Sequence, residues 1–175
     1  MSSAKHLDGA DDSPPLQNAW SLFYHLPHDK KWDLPSYKII MDDIDTTEKL
    51  IAINETMPED IVKTCMLFMM RKNIPPLWED PKNKNGGCFS YKISNKQVYL
   101  VWRHLVYILA GETLFKNNSG ENIMANGISI SPKKNFCIIK IWFPDCLQQN
   151  PNVVFDIPNL QKEGCLFTAF ETKFT

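Results

Sequence analysis

Apolar and polar positions change rhythm several times along the chain. Residues 1–13 are small and acidic and lack large apolar groups, the pattern of a disordered tail. Leu16, Trp20, Leu22, Phe23 and Tyr24 then form an aromatic-rich run expected to be a strand, and Tyr37 to Met41 a second, short one. A polar loop from Pro27 to Pro35 separates them. Asp45-Thr46-Thr47-Glu48 has the order of a helix start, with Asp45 as the cap and Glu48 placed for a capping box. Leu50, Ile53 and Met57 follow at helical spacing, and Pro58 ends that helix or opens another turn. Val62 to Met70 is rich in apolar residues and predicts a buried strand. Arg71 to Gly87 reads as a loop, and loops of that length in compact domains are often functional. Phe89, Tyr91 and Ile93 alternate, so Cys88 to Ile93 predicts a strand. The strongest helix signal covers Lys96 to Ala110, with Val98, Val101, Trp102, Leu105, Ile108 and Leu109 on one face. Asn95 is positioned to cap it and Gly111 to end it. Ile123 to Ile130 and Phe136 to Phe143 predict a hairpin joined through Ser131 to Asn135. Prolines 144, 151 and 158 exclude a long helix after it, and Leu166 to Phe174 predicts a last strand.

Strands joined by hairpin-length links, with two or three helices between them, predict an α+β fold. The expected architecture is an antiparallel sheet of about six to eight strands with the helices on one face. The other face is then free to be concave and to bind. Residues 1–13 are expected to be a tail and residues 14–175 a single domain.

Charge and composition narrow the function. Nineteen basic against twenty acidic side chains argue against a broad electrostatic clamp on duplex nucleic acid, though a cleft for one nucleotide needs no such clamp. No run of about 18 apolar residues is present, so no transmembrane helix and no membrane partner is expected. The N-terminus has no apolar core of a secretory signal. Cys65, Cys88, Cys137, Cys146 and Cys165 are widely spaced and, with four scattered histidines, make no metal pattern. Reduced thiols in the cytosol or nucleus are the simplest reading. There is no G-x-S-x-G and no phosphate-binding glycine loop, and His25 and His28 have no serine or cysteine set against them. Nothing demands turnover, a metal or a cofactor.

The tryptophans divide into two groups. Trp20 and Trp102 lie in apolar periodic runs and read as core. Trp32 and Trp78 lie in polar, proline-rich loops with little core to fill; they read equally well as loop residues or as stacking plates for a flat ligand. Glu79, next to Trp78, is on its own most simply a solvated carboxylate. Beside a stacking ring it could also accept the two N–H donors on the Watson–Crick edge of guanine. Lys82, Lys84, Lys133, Lys134 and Lys140 supply positive charge after these loops. Lys140 and Trp142 are two apart on a predicted strand and share a face, either as a core indole with a lysine at its rim or as a surface for a base with trailing phosphates.

These residues resemble a known pattern. Ile74 to Gly87, with Trp78-Glu79-Asp80, Asn83, Gly86 and Gly87, closely resembles the W-E-D-x-x-N-x-x-G-G signature of the cap-binding translation initiation factor 4E family. Pro15-Leu16-Gln17-Asn18-Ala19-Trp20 resembles that family's N-terminal motif, and Trp32 follows at nearly the expected distance. Trp102 to Glu112 resembles its long dorsal helix, and Ile139 to Trp142 its cap-contacting strand. The resemblance covers about residues 14–143 and implies a cupped sheet with helices on its convex back. It also implies a ligand, the 7-methylguanosine cap of messenger RNA. By that resemblance Trp32 and Trp78 sandwich the methylated base, Glu79 accepts from it, Trp142 touches the N7-methyl group, and Lys133, Lys134 and Lys140 meet the phosphates. The chain departs from the family pattern after Ile130, where the link is longer by about two residues and Ser131 and Ile138 stand where basic side chains are common.

The same resemblance implies a scaffold factor 4G-like partner, or a lineage-specific one, on the dorsal face, with Pro15, Ile51, Arg103 and Val106 as candidate contacts. Ile51 stands where the family has a tryptophan, and Arg103 and His104 replace typical apolar and acidic residues.

Overall fold

The computed structural model describes residues 13–116 and 122–171. Seven strands form one curved antiparallel sheet in the order β2-β1-β3-β5-β6-β4-β7. They are β1 (Pro15–His25), β2 (Lys38–Thr46), β3 (Met66–Arg71), β4 (Gly87–Ser94), β5 (Gly127–Pro132), β6 (Phe136–Phe143) and β7 (Leu166–Ala169). Three helices, α1 (Thr47–Thr56), α2 (Glu59–Thr64) and α3 (Val98–Ala110), complete the expected α+β fold.

Strand alternation divides the side chains between two faces. On one face Trp20, Leu22, Leu67, Met69, Phe89, Tyr91, Ile128, Ile130, Ile139 and Ile141 join α3's Val98, Val101, Trp102, Leu105 and Leu109 in the main core. The residues between them face the other way. Register places Phe23 opposite Phe68, Phe68 opposite Ser129, Ser129 opposite Lys140 and Lys140 opposite Ser90. Only a small second cluster forms on that side: Phe68, Met70, Ile74 and Trp142. The helices therefore cover one face and leave the other for a cleft.

Several element boundaries differ from the sequence expectation. Residues 62–64 are the last turn of α2 rather than the start of a strand. Glu59 and Asp60 sit in its first turn, where the helix dipole favours acid, and Val62 is buried just as well from a helix. The cap of α1 is Thr46, not Asp45: its side chain accepts from Lys49 N at 3.4 Å, while Asp45 pairs with Lys49 Nζ at 2.6 Å. Helix α3 starts at Val98, and Asn95 does not cap it but accepts a weak bond from Cys137 Sγ at 3.5 Å. At its end Gly111 keeps φ −78°, and the left-handed residue is Glu112 (φ 56°). Glu112 holds that conformation because Arg71 grips its carboxylate bidentately, at 2.6 and 2.7 Å, and Asn18 adds a third bond at 2.7 Å. Strand β5 begins at Gly127 rather than Ile123 and runs through Ser131 and Pro132, so the hairpin turn is residues 133–135.

The expected tail over residues 1–13 lies outside the described residues up to residue 12; Ser13 is ordered, its Oγ donating to Glu48 at 2.7 Å. The last strand ends at Ala169, and residues 172–174 of its expected span lie outside the described residues. Among the described residues no helix is long and apolar enough to cross a membrane.

Candidate functional site

The Arg71–Gly87 stretch is a loop built by its own polar residues. Asp80 accepts from Lys82 N at 2.9 Å and closes a turn. Asn83 is completely buried and staples the loop: its Nδ2 donates to the carbonyls of Pro75 (3.0 Å) and Leu77 (2.8 Å). Its Oδ1 accepts from Asn126 Nδ2 at 2.9 Å, and the same amide reaches the Lys82 carbonyl at 2.8 Å. Gly86 and Gly87 then cross against β6 and β7. A Cβ at Gly86 would lie 1.8 Å from the Phe143 carbonyl oxygen, and one at Gly87 2.6 Å from that of Thr168. Asp80, Asn83, Gly86 and Gly87 thus hold the loop, and Trp78 and Glu79 are the residues it presents, both exposed.

The Pro27–Pro35 loop is anchored differently. Lys31 N donates to Asp29 Oδ1 at 2.9 Å, and the Lys31 carbonyl accepts from His25 Nε2 at 2.7 Å. The Trp32 indole lies flat on the buried His25 ring, centroids 4.2 Å apart and planes 2° apart. Tyr37 abuts His25 at 5.1 Å and meets Phe68 edge-on at 5.2 Å, which joins this loop to the second cluster.

Between the loops the uncovered face of the sheet forms a cleft of about 460 Å³. Trp32 and Trp78 line it from the two loops, and Trp142, Lys133 and Lys140 line it from β6 and its hairpin. Trp142 is only 6% exposed, and its Nε1 donates to Ser129 Oγ at 2.9 Å, so its N–H is occupied and its edge forms the floor. Ser131 and Ile138 are partners across β5 and β6, and both line the cleft. Lys140, two positions along the same face, brings the ammonium that these two do not.

Two expected site residues stand apart. Lys134 lies on the exposed hairpin turn and is not among the cleft-lining residues. Glu79 also does not line the cleft but stands beside it. Burial pushes the Tyr37 phenol up to about 12, and the negative charge of Glu79 adds to the shift. Burial likewise raises the Cys88 thiol, against the opposing charge of Lys140.

Phe170 is a lining residue that sequence reasoning missed. Its ring packs on Trp142 at 4.9 Å, and its N–H donates to the Gly86 carbonyl at 2.9 Å. No local motif marks it, because it reaches the cleft only through the pairing of β7 with β4.

On the opposite, helical face Ile51 is 48% exposed, and Pro15, at the start of β1, is exposed as well. Arg103 is ion-paired to Glu55 and lies over the Tyr99 ring at 5.5 Å, and Tyr107 donates to Glu55 at 2.6 Å. That Tyr107 hydrogen bond, followed by Arg103, holds the Glu55 carboxyl below its usual range. Val106 is 2% exposed and supports this surface from beneath rather than forming part of it. Among the described residues no group of acidic, histidine or cysteine side chains could hold a metal ion.

Comparison with known proteins places these features in context. The family model for eukaryotic initiation factor 4E matches residues 15–170. A stretch of 64 residues is 43% identical to an initiation factor 4E homolog of Acanthamoeba polyphaga mimivirus, covering 37% of this chain and 23% of that protein. Initiation factor 4E-2 of Schizosaccharomyces pombe is 31% identical over 142 residues, covering 75% of this chain and 54% of its own length. The chain thus matches about a quarter and about half of these two relatives. In fold it resembles the schistosome factor 4E crystallised with m7GpppG and 4E-BP, with a TM-score of 0.67, 23% identity and coverage of 79% of this chain and 76% of that one.

Proposed function

Because the chain belongs to the eukaryotic initiation factor 4E family, we propose that its cleft binds the 7-methylguanosine cap of messenger RNA and that the protein acts in translation initiation in the cytoplasm. The observation that carries this reading is the pair of half-exposed indoles, Trp32 and Trp78, on opposing loops of one cleft with lysines at its far side. The schistosome relative in complex with m7GpppG supports the same ligand.

In this reading the guanine enters between Trp32 and Trp78, and Trp142 and Phe170 form the floor. Methylation at N7 makes the base cationic, so stacking on electron-rich indole gains a cation–π term of roughly 0.5–2 kcal/mol. Stacking itself contributes about 1–3 kcal/mol per base. Glu79, exposed beside the cleft, swings its carboxylate onto the guanine N1–H and exocyclic amine, and its charge favours the cationic form. Lys140 and Lys133 meet the phosphates. Lys134 is a reserve cation at the hairpin turn. The protein binds its ligand and does not turn it over.

Tryptophan fluorescence tests the reading. Titration with 7-methyl-GTP is expected to quench strongly, GTP weakly, and Trp78→Ala is expected to shift the 7-methyl-GTP response to higher concentration, by an affinity loss of about 1–3 kcal/mol. Equal or absent quenching by the two nucleotides refutes a methyl-cap site.

The helical face favours a second reading of the partner. It offers Ile51 and the paired Arg103 where an aromatic anchor and apolar contacts are the family pattern. Loss of such an anchor costs about 2 kcal/mol or more. A modified scaffold, or a role as cap-binding competitor that does not engage the usual scaffold, follows from this. Titration with a consensus Tyr-x4-Leu-Φ peptide separates the readings: tight binding on this face returns the protein to the ordinary scaffold role.

A further inference from the structure

His25 lies behind the cleft wall rather than in it. It is the last residue of β1, fully buried, opposite Met66 on β3. A backbone carbonyl can only accept, so the 2.7 Å contact with Lys31 fixes the proton on Nε2. In the neutral ring Nδ1 then carries the lone pair, and that atom is buried with no hydrogen-bond partner. The ring is parallel to Trp32 within 2°. One face of the indole is thus occupied by the imidazole, while half of the Trp32 surface remains exposed.

We propose that His25 is a positioning and specificity residue acting through Trp32: the neutral imidazole backs the indole and leaves its outer face free for a cationic base, and the imidazolium opposes that base. The proposal rests on the cap-binding reading of the cleft. A cation over an indole is held by the ring's negative face. Protonated His25 would already be a cation on the inner face, and the methylated guanine would be a second one roughly 8 Å away across the same ring. Like charges at that separation, in the partly screened setting of a protein surface, weaken binding by about tenfold. Unmethylated guanine is neutral and does not feel this repulsion, so the loss falls on methyl selectivity.

The groups around His25 leave it free to act this way. Its own loop carries His28, Asp29, Lys30, Lys31 and Asp33, of which the Asp29 carboxylate is taken by Lys31 N–H. On the β2 side stand Tyr37, whose phenol stays protonated, and Lys38, whose Nζ donates to the Pro35 carbonyl at 2.8 Å. The facing segment of β3, Met66 to Phe68, carries no charge. Glu79 acts from beyond Tyr37.

The test measures Kd for 7-methyl-GTP and for GTP by fluorescence quenching between about pH 8 and pH 5.5, the range in which histidine titrates. It compares the wild-type protein with His25→Phe, which keeps a flat ring against Trp32 and takes no proton. Titration of the nucleotide itself affects both proteins alike and cancels. Relative to His25→Phe, the wild-type preference for the methylated nucleotide is expected to fall about tenfold on acidification. The same selectivity profile in both proteins overturns the proposal. A second measurement needs no variant. By linkage, saturating 7-methyl-GTP must lower the His25 titration midpoint seen by NMR by the same factor, and GTP must lower it less. A midpoint unmoved by the methylated ligand also overturns the proposal. Absent quenching by either nucleotide at pH 8 marks instead the failure of the cap reading, and of this proposal with it.

Discussion

The two tryptophan loops expose their indoles almost equally, 50% for Trp32 and 47% for Trp78, yet hold them by different physics. The Trp78 loop is a network of buried amides and carbonyls centred on Asn83 and Asn126 and shut by two glycines against neighbouring strands. The Trp32 loop has short-range turn bonds at Asp29 and Ser36, but it is tied to β1 by a ring lying on a ring and a hydrogen bond from a histidine to a carbonyl. Directional bonds between buried polar groups fix a backbone, because each broken bond leaves a costly orphan. A stack fixes a plane and tolerates sliding. The Trp78 side should therefore be the rigid wall of the cleft and the Trp32 side the adjustable one.

Substitutions can break or sharpen that contrast. The largest effect is expected at Gly86: an added methyl meets backbone at 1.8 Å, so Gly86→Ala should destabilise the fold by about 3 kcal/mol, read as a lower urea midpoint. An unchanged midpoint would mean that the loop is not clamped at this crossing. Next, Asn83→Ala removes one of the two acceptors of the Asn126 amide and strands two carbonyls and should cost about 2–3 kcal/mol, with ligand affinity falling as Trp78 is released. Asp29→Ala, the polar counterpart in the Trp32 loop, should cost less than about 0.5 kcal/mol. Equal losses from these two variants would erase the distinction between the loops.

Removing the indoles should separate binding from stability. Trp78→Ala is expected to lose about 1–3 kcal/mol of cap affinity with no change in Tm. Trp32→Ala should lose a similar affinity and also lower Tm, by a stability loss of about 1 kcal/mol, because it uncovers the buried His25 ring. Calorimetry and titration on the same samples check both. Among the binding effects the phosphate side is the smallest. Lys140→Ala should weaken binding of the methylated triphosphate by about 1 kcal/mol and flatten its salt dependence, whereas Lys134→Ala should leave both unchanged. The opposite result would move the phosphate path out to the hairpin turn.

The contrast also explains what could be read in advance. The Trp78 loop was legible because its support is local: Asp80, Asn83 and the glycines stand within a few residues of the indole and leave a spaced motif. The Trp32 loop offered only a tryptophan among polar residues, since its support comes from a histidine whose neighbours suggested nothing. Strand alternation correctly put Lys140 and Trp142 on one face, and the lining residues Ser131 and Ile138 share it. Periodicity failed at Val62 to Thr64, where a single apolar residue beside Lys63 and Thr64 suits the start of a buried strand and a short helix equally. It also failed at residues 123–126, where Asn126 leaves the strand pattern to serve the opposite loop.

By itself the sequence determined the α+β class, most of the strands, the dominant helix and the family motif, because alternation, helical spacing and turn chemistry are written in neighbouring residues. Only the tertiary structure decided which lysines enter the cleft, that Phe170 closes its floor, that Val106 lies beneath the helical surface and that His25 backs Trp32. Those relations join residues far apart in the chain or on different elements. Those on strands depend on register, and a shift of one residue would turn Lys140 on β6 or His25 on β1 to the other face.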